Sequence, residues 1–160
     1  MSDEGAIDNA EPVSAASNSM VVGHDGSACA DYALTTALEL ADQLQVPVVV
    51  LRAWSIATAP QPSNWEFGCV SSFDEYSVAV HDELVRDVRT TVEKYPSVSI
   101  GYRVLHAGPA KSLIELSRDA RMLVVGSRGR GGLAGMLLGS VSDQCVRHAA
   151  CPVLVVRPRT

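Results

Sequence analysis

Met122-Leu123-Val124-Val125-Gly126-Ser127-Arg128-Gly129 joins a short apolar run to a glycine loop, and further on Gly139-Ser140 opens a helical pattern. An unbroken apolar run closed by turn residues has the pattern of a strand covered on both faces. Glycines carry no Cβ, so the amides of such a loop can approach an anion closely. A helix beginning at Ser140 aims its first unpaired N–H groups at the same place. Strand, glycine loop and helix start in this order point to phosphate, although glycines after a strand are also ordinary turn punctuation.

Outward from this unit, short apolar runs alternate with longer helical patterns. Strands are expected over residues 19–24, 47–54, 98–105, 122–126 and 153–157. The second reads as a central strand, and the fifth, bracketed by Pro152 and Pro158, suits a sheet edge. A helix from Ser27 or Ala28 to Gln43 carries Ala30, Ala33, Leu34, Ala37, Leu38, Ala41 and Leu44 at helical spacing, with Asp25 and Ser27 as capping candidates. A second helix, over residues 73–94, has Val80, Leu84, Val88 and Val92 as its core stripe. The turn His106-Ala107-Gly108-Pro109 opens a third helix, reaching Arg118, and the last helix, from Ser140, turns Val141, Cys145 and Ala149 inward. Such alternation predicts an α/β fold: an open five-stranded parallel sheet with crossover helices on both faces. Residues 1–18 read as a flexible tail before a domain over 19–160, and residues 55–72 as a long excursion placed to cover a site.

Composition narrows the function. The 160 residues are 47% hydrophobic and 19% charged, which suits one soluble domain with a sizeable core. No apolar run approaches the roughly 20 residues of a spanning helix, and the N-terminal stretch lacks a signal-peptide pattern, so the expectation is a cytoplasmic protein with no membrane partner. Net charge is −5, but residues 1–100 hold 4 Lys+Arg against 15 Asp+Glu and residues 101–160 hold 9 against 3. The basic part contains the glycine loop and suits an anionic ligand, whereas the acidic total disfavours nucleic acid. The four cysteines form no C-x-x-C pair, which agrees with a reducing compartment and buried apolar roles. Cys145-x2-His148-x2-Cys151 is a poor metal site, because Pro152 forces the chain out of the helix there.

Other nucleotide motifs fail mechanically. No Gly-x4-Gly-Lys-Ser/Thr run exists, and Gly129-x-Gly131-x2-Ala134 follows the fourth strand with no acidic residue at ribose distance. The histidines, His24, His81, His106 and His148, fall on different elements and assemble no catalytic motif. Binding is therefore favoured over catalysis, with slow hydrolysis of a bound phosphate ligand as the most that is expected.

Gly126-x2-Gly129-x9-Gly139-Ser140 resembles the nucleotide-binding signature of the universal stress protein family. Val21-Val22-Gly23-His24-Asp25-Gly26-Ser27 resembles that family's first strand and turn, and Cys151-Pro152-Val153-Leu154-Val155-Val156-Arg157 its closing strand. The resemblance spans residues 19–158 and implies a Rossmann-like sheet of order 3-2-1-4-5, similar to adenine nucleotide alpha hydrolases. It further implies ATP, with Mg2+, as the ligand. Asp25 would hold the nucleoside, the Ala53 backbone would meet the adenine edge, and Gly126 would approach the ribose. Gly129, Gly139, Ser140, Val141 and Ser142 would line the phosphate path, with charge added by Arg128 or Arg130. His24 departs from the small or aliphatic residue usual there. Pairing along Val153–Val156 implies a homodimer, and the function implied is a nucleotide-dependent stress regulator. Two alternatives stay open: a cyclic AMP or AMP binder with the same pocket, and a protein-interaction module that binds no nucleotide.

Overall fold

A computed structural model describes residues 17–60, 72–129 and 137–159. Five strands alternate with four helices: β1 (Met20–Gly23), α1 (Ala28–Leu44), β2 (Val48–Trp54), α2 (Phe73–Val92), β3 (Ile100–His106), α3 (Pro109–Leu116), β4 (Met122–Gly126), α4 (Ser140–His148) and β5 (Val153–Val156). All pairs are parallel and the order is β3-β2-β1-β4-β5. The middle position belongs to β1, with β2 beside it, and β5 lies at an edge.

Alternation along the buried strands sends successive side chains into two cores. Met20 and Val22 of β1, with Val48, Val50 and Trp54 of β2, meet Leu34 and Leu38 of α1 and Val80, Leu84 and Val88 of α2. Val21, Val49, Leu51, Leu123 and Val125 point the other way, onto Leu113 and Leu116 of α3 and Cys145 of α4. Val141 and Ala149 pack partly against this second core. The helices that follow β1 and β4 therefore lie on opposite faces, which opens a crevice between the two strand ends.

Local chemistry sets the element ends. Ser27 Oγ accepts from the Ala30 amide at 3.2 Å and is the N-cap of α1, while Asp25 Oδ1 accepts from the Ser27 amide at 3.0 Å. Between them Gly26 takes φ 84°, a left-handed conformation that a side chain would oppose. A capping box starts α2: the Ser72 hydroxyl accepts from the Glu75 amide and the Glu75 carboxylate from the Ser72 amide. Pro109 fills the first turn of α3, where its missing N–H costs nothing.

Several expected bounds move. Helix α2 ends at Val92, short of residue 94, and β3 starts at Ile100 because Val98 is held in a turn onto the Tyr95 carbonyl. Helix α3 stops at Leu116, and Leu44, assigned to the stripe of α1, is exposed at its last position. The tail over residues 1–16 and most of the 55–72 excursion lie outside the described residues. Among the described residues no helix is long and apolar enough to cross a membrane.

Gly126 is a packing constraint, since a Cβ there would lie 2.9 Å from the Cys29 carbonyl oxygen and 3.0 Å from its carbonyl carbon. Backbone cannot swing aside as a side-chain tip can. Gly126→Ala is expected to lower stability by about 1–3 kcal/mol, read from urea unfolding. Gly101→Ala, whose nearest contact is a Val49 methyl at 4.0 Å, should be neutral or stabilising in the same assay.

Candidate functional site

A cavity of about 630 Å3 occupies the crevice at the carboxyl ends of the strands. It is walled by the β1 end and the turn after it, by the β2 end, by the loop leaving β4, and by the starts of α3 and α4. Every residue singled out from the sequence within the described part of the chain lines it: Asp25, Ala53, Gly126, Arg128, Gly129, Gly139, Ser140, Val141 and Ser142. Arg130 lies outside the described residues.

The β4 loop and α4 are tied together at their base. The Gly139 amide donates to the Ser127 carbonyl at 2.7 Å, and the Ser142 hydroxyl reaches the same carbonyl at 3.2 Å and the Gly139 carbonyl at 3.0 Å. Ser142 is thereby engaged in holding the loop, whereas Ser140 is exposed at the helix start. The N-cap of α4 is Gly139, and no side chain caps it. The first amides of a helix have no intrahelical acceptor, so they present partial positive charge at this wall. Helix α3 begins in the same manner, behind Gly108.

The glycines differ in what they permit. A Cβ on Gly129 would stand 2.6 Å from Asp25 Oδ2, so the loop passes directly over the carboxylate end. On Gly139 a Cβ would meet only ordinary contacts, the nearest being Arg128 Cα at 3.4 Å, and its φ of −69° suits any residue.

Beneath the β1 and β2 ends lies a polar group that sequence reasoning did not assemble. His24 and Arg52 are both buried and both line the cavity. The Arg52 guanidinium donates through Nε to the His24 carbonyl at 3.0 Å, through Nη2 to His24 Nδ1 at 2.8 Å, and through Nη1 to Asp87 Oδ2 at 2.9 Å, with Glu83 Oε2 at 3.6 Å. His24 Nε2 meets Asp31 Oδ1 at 2.8 Å. Burial foremost, and Arg52 with it, holds the His24 imidazole below its usual pKa of 6.5, against the opposing pull of Asp31 and Asp25. Strand register makes the pair: Gly23 pairs with Leu51, so the next residues, His24 and Arg52, fall side by side, and only the position of an arginine in an apolar run hinted at it in the sequence.

Toward β3 the wall carries two aromatic rings, Trp54 and His106, with Phe73 and Tyr76 packed against them. Trp54 and His106 rings lie 4.6 Å apart between centroids, with Phe73 5.0 Å from His106 and Tyr76 5.9 Å from Trp54. Within the core beneath α4, burial pushes the Cys145 thiol up to about 11, so it stays protonated at neutral pH and is a poor metal ligand. Among the described residues no cluster of three His, Cys, Asp or Glu could hold a metal ion.

With the cavity and its walls in place, comparison with known proteins gives a consistent picture. The profile of the Universal stress protein family matches residues 17–157. Universal stress proteins of Mycobacterium tuberculosis and Mycolicibacterium smegmatis are each 36% identical to the chain, over 138 and 159 residues. These matches cover 86% and 98% of the chain but 44% and 49% of those relatives, so the chain spans about half their length. Among solved structures, a universal stress protein in complex with cAMP matches with a TM-score of 0.65 at 24% identity, over 91% of this chain and all of that one. One from Archaeoglobus fulgidus in complex with dAMP gives 0.60 at 19%, over 86% of this chain and 96% of that one. UspA from Lactobacillus plantarum gives 0.69 at 18%, over 89% and 99% respectively. At these identities the structures share the fold, and the sequence matches carry the kinship: the chain belongs to the universal stress protein family.

Proposed function

We propose that the chain binds an adenine nucleotide, ATP with Mg2+ foremost, in this cavity, and that occupancy regulates a stress response in the cytoplasm. The observation that carries the reading is the uncapped start of α4 on the same cavity wall as the Gly126–Gly129 loop and Asp25. Ser140 and the first-turn amides would take the phosphates, with Arg128 adding charge from the loop. Asp25 would hold the nucleoside and the Ala53 backbone the base. Mg2+ would be carried by the phosphates. Structural relatives crystallised with cAMP and dAMP support an adenylate as guest. The edge strand β5, Val153–Val156, is the proposed seam of a homodimer, since pairing removes the hazard of an open strand edge.

About three charge-assisted hydrogen bonds at roughly 1.5–3 kcal/mol each suffice, after ordering costs, for micromolar affinity. Calorimetry with ATP, AMP and cyclic AMP is expected to give ATP a micromolar Kd and the tightest binding of the three. A tighter fit for cyclic AMP or AMP would move the assignment to those ligands. No heat, and no thermal shift at ligand excess where about 2.7 kcal/mol is expected at 100 times Kd, would leave the interaction-module reading instead. Within the site, Gly129→Ala should weaken ATP binding about tenfold or more by pushing the Asp25 carboxylate aside. Gly139→Ala should cost far less, and Gly139→Val, with bulk in the phosphate path, should abolish binding while the protein stays folded.

A further inference from the structure

The Asp31–His24–Arg52–Asp87 chain ties α1 to α2 through the ends of β1 and β2. It also holds the turn that carries Asp25. A guanidinium has only donors, so His24 Nδ1 must be the acceptor of the Arg52 Nη2–H at 2.8 Å. The Gly26 amide, the one with the left-handed φ, donates to the same nitrogen at 3.3 Å. The remaining proton of the imidazole is then on Nε2, donating to Asp31. In this arrangement the neutral ring is fully used, and both donors facing Nδ1 are spoiled by a proton there.

We infer that His24 is the positioning residue of the nucleotide site and that proton occupancy of its Nδ1 sets nucleotide affinity, through the Gly26 turn and Arg52. The inference rests on the functional reading above and names a control on that same site. Protonation puts N–H against N–H at two contacts, so Arg52 and the Gly26 amide must withdraw, and the turn bearing Asp25 moves with them. The charges around the ring set the balance. Asp31 on α1 and Asp25 before it favour the added proton, while Glu83 and Asp87 on α2 face Arg52 and are paired with its guanidinium. Burial and Arg52 of β2 oppose it, and the depressed His24 pKa shows that they prevail at neutral pH. The sign follows: the unfolded chain, with an ordinary histidine, takes up a proton more readily, so stability falls as pH drops below about 6.5, while site order is lost only at the lower pH where the folded His24 itself takes up the proton.

Calorimetric ATP affinity should be measured from pH 7.5 down to 5.0 for the wild type and for His24→Asn, whose amide oxygen stands in for Nδ1 but does not titrate. The wild-type affinity is expected to fall up to about tenfold per pH unit beyond the fall in the variant once His24 titrates, a linkage that also appears as proton exchange with buffers of different ionisation heat. Parallel pH profiles in the two proteins would overturn the inference while leaving the nucleotide reading intact. Absence of binding by either protein at every pH would overturn the nucleotide reading and the control with it. Imidazole 15N shifts of the unliganded wild type give the independent check: Nδ1 bare and Nε2 protonated at pH 7.5 is expected, and the opposite tautomer would sink the mechanism.

Discussion

After β1 the chain turns toward the face that α1 and α2 cover, and after β4 it turns toward the face that α3 and α4 cover. Two adjacent parallel strands whose continuations diverge leave a gap at their carboxyl ends that no helix fills. The cavity, the exposure of the α4 start and the meeting of Asp25 with the Gly129 loop all follow from this divergence. Were both helices on one face, the glycine loop would have nothing to enclose.

Close packing then decides which glycines are structural and which serve the cavity. Gly126 sits where strand and helix backbones nearly touch, so its role belongs to the fold. Gly129 sits over a carboxylate tip and affects where that tip points. Gly139 has room, and its contribution is to start a helix without a side chain competing for the amides. One signature of evenly quoted glycines thus contains three different physical demands.

The parallel sheet was legible because strands buried on both faces must read as apolar runs such as Met122-Leu123-Val124-Val125, and helices such as α1 must show a stripe at the spacing of Ala30, Leu34 and Ala37. The cavity wall around Gly126 and Ser140 was legible because a phosphate-type loop is local in sequence. Element ends were less so: Leu44 fits the stripe of α1 yet sits on the turn that frees it, and β3 is delayed by the turn onto Tyr95. The capping box at Ser72 and Glu75 was readable in principle from its three-residue spacing. The His24–Arg52 pair was not, because its partners are 28 residues apart and meet only through strand register. An arginine inside an apolar strand is an anomaly of composition until the register sets His24 beside it and α2 brings the carboxylates of Glu83 and Asp87 to its guanidinium.

The Ser127 carbonyl gathers two donors, the Gly139 amide and the Ser142 hydroxyl, and so stitches shut the base of the segment between them. Together the two contacts keep the start of α4 seated on the residue that follows β4. A single acceptor thus moors two neighbouring donors, and turning over that one peptide plane would unseat both together.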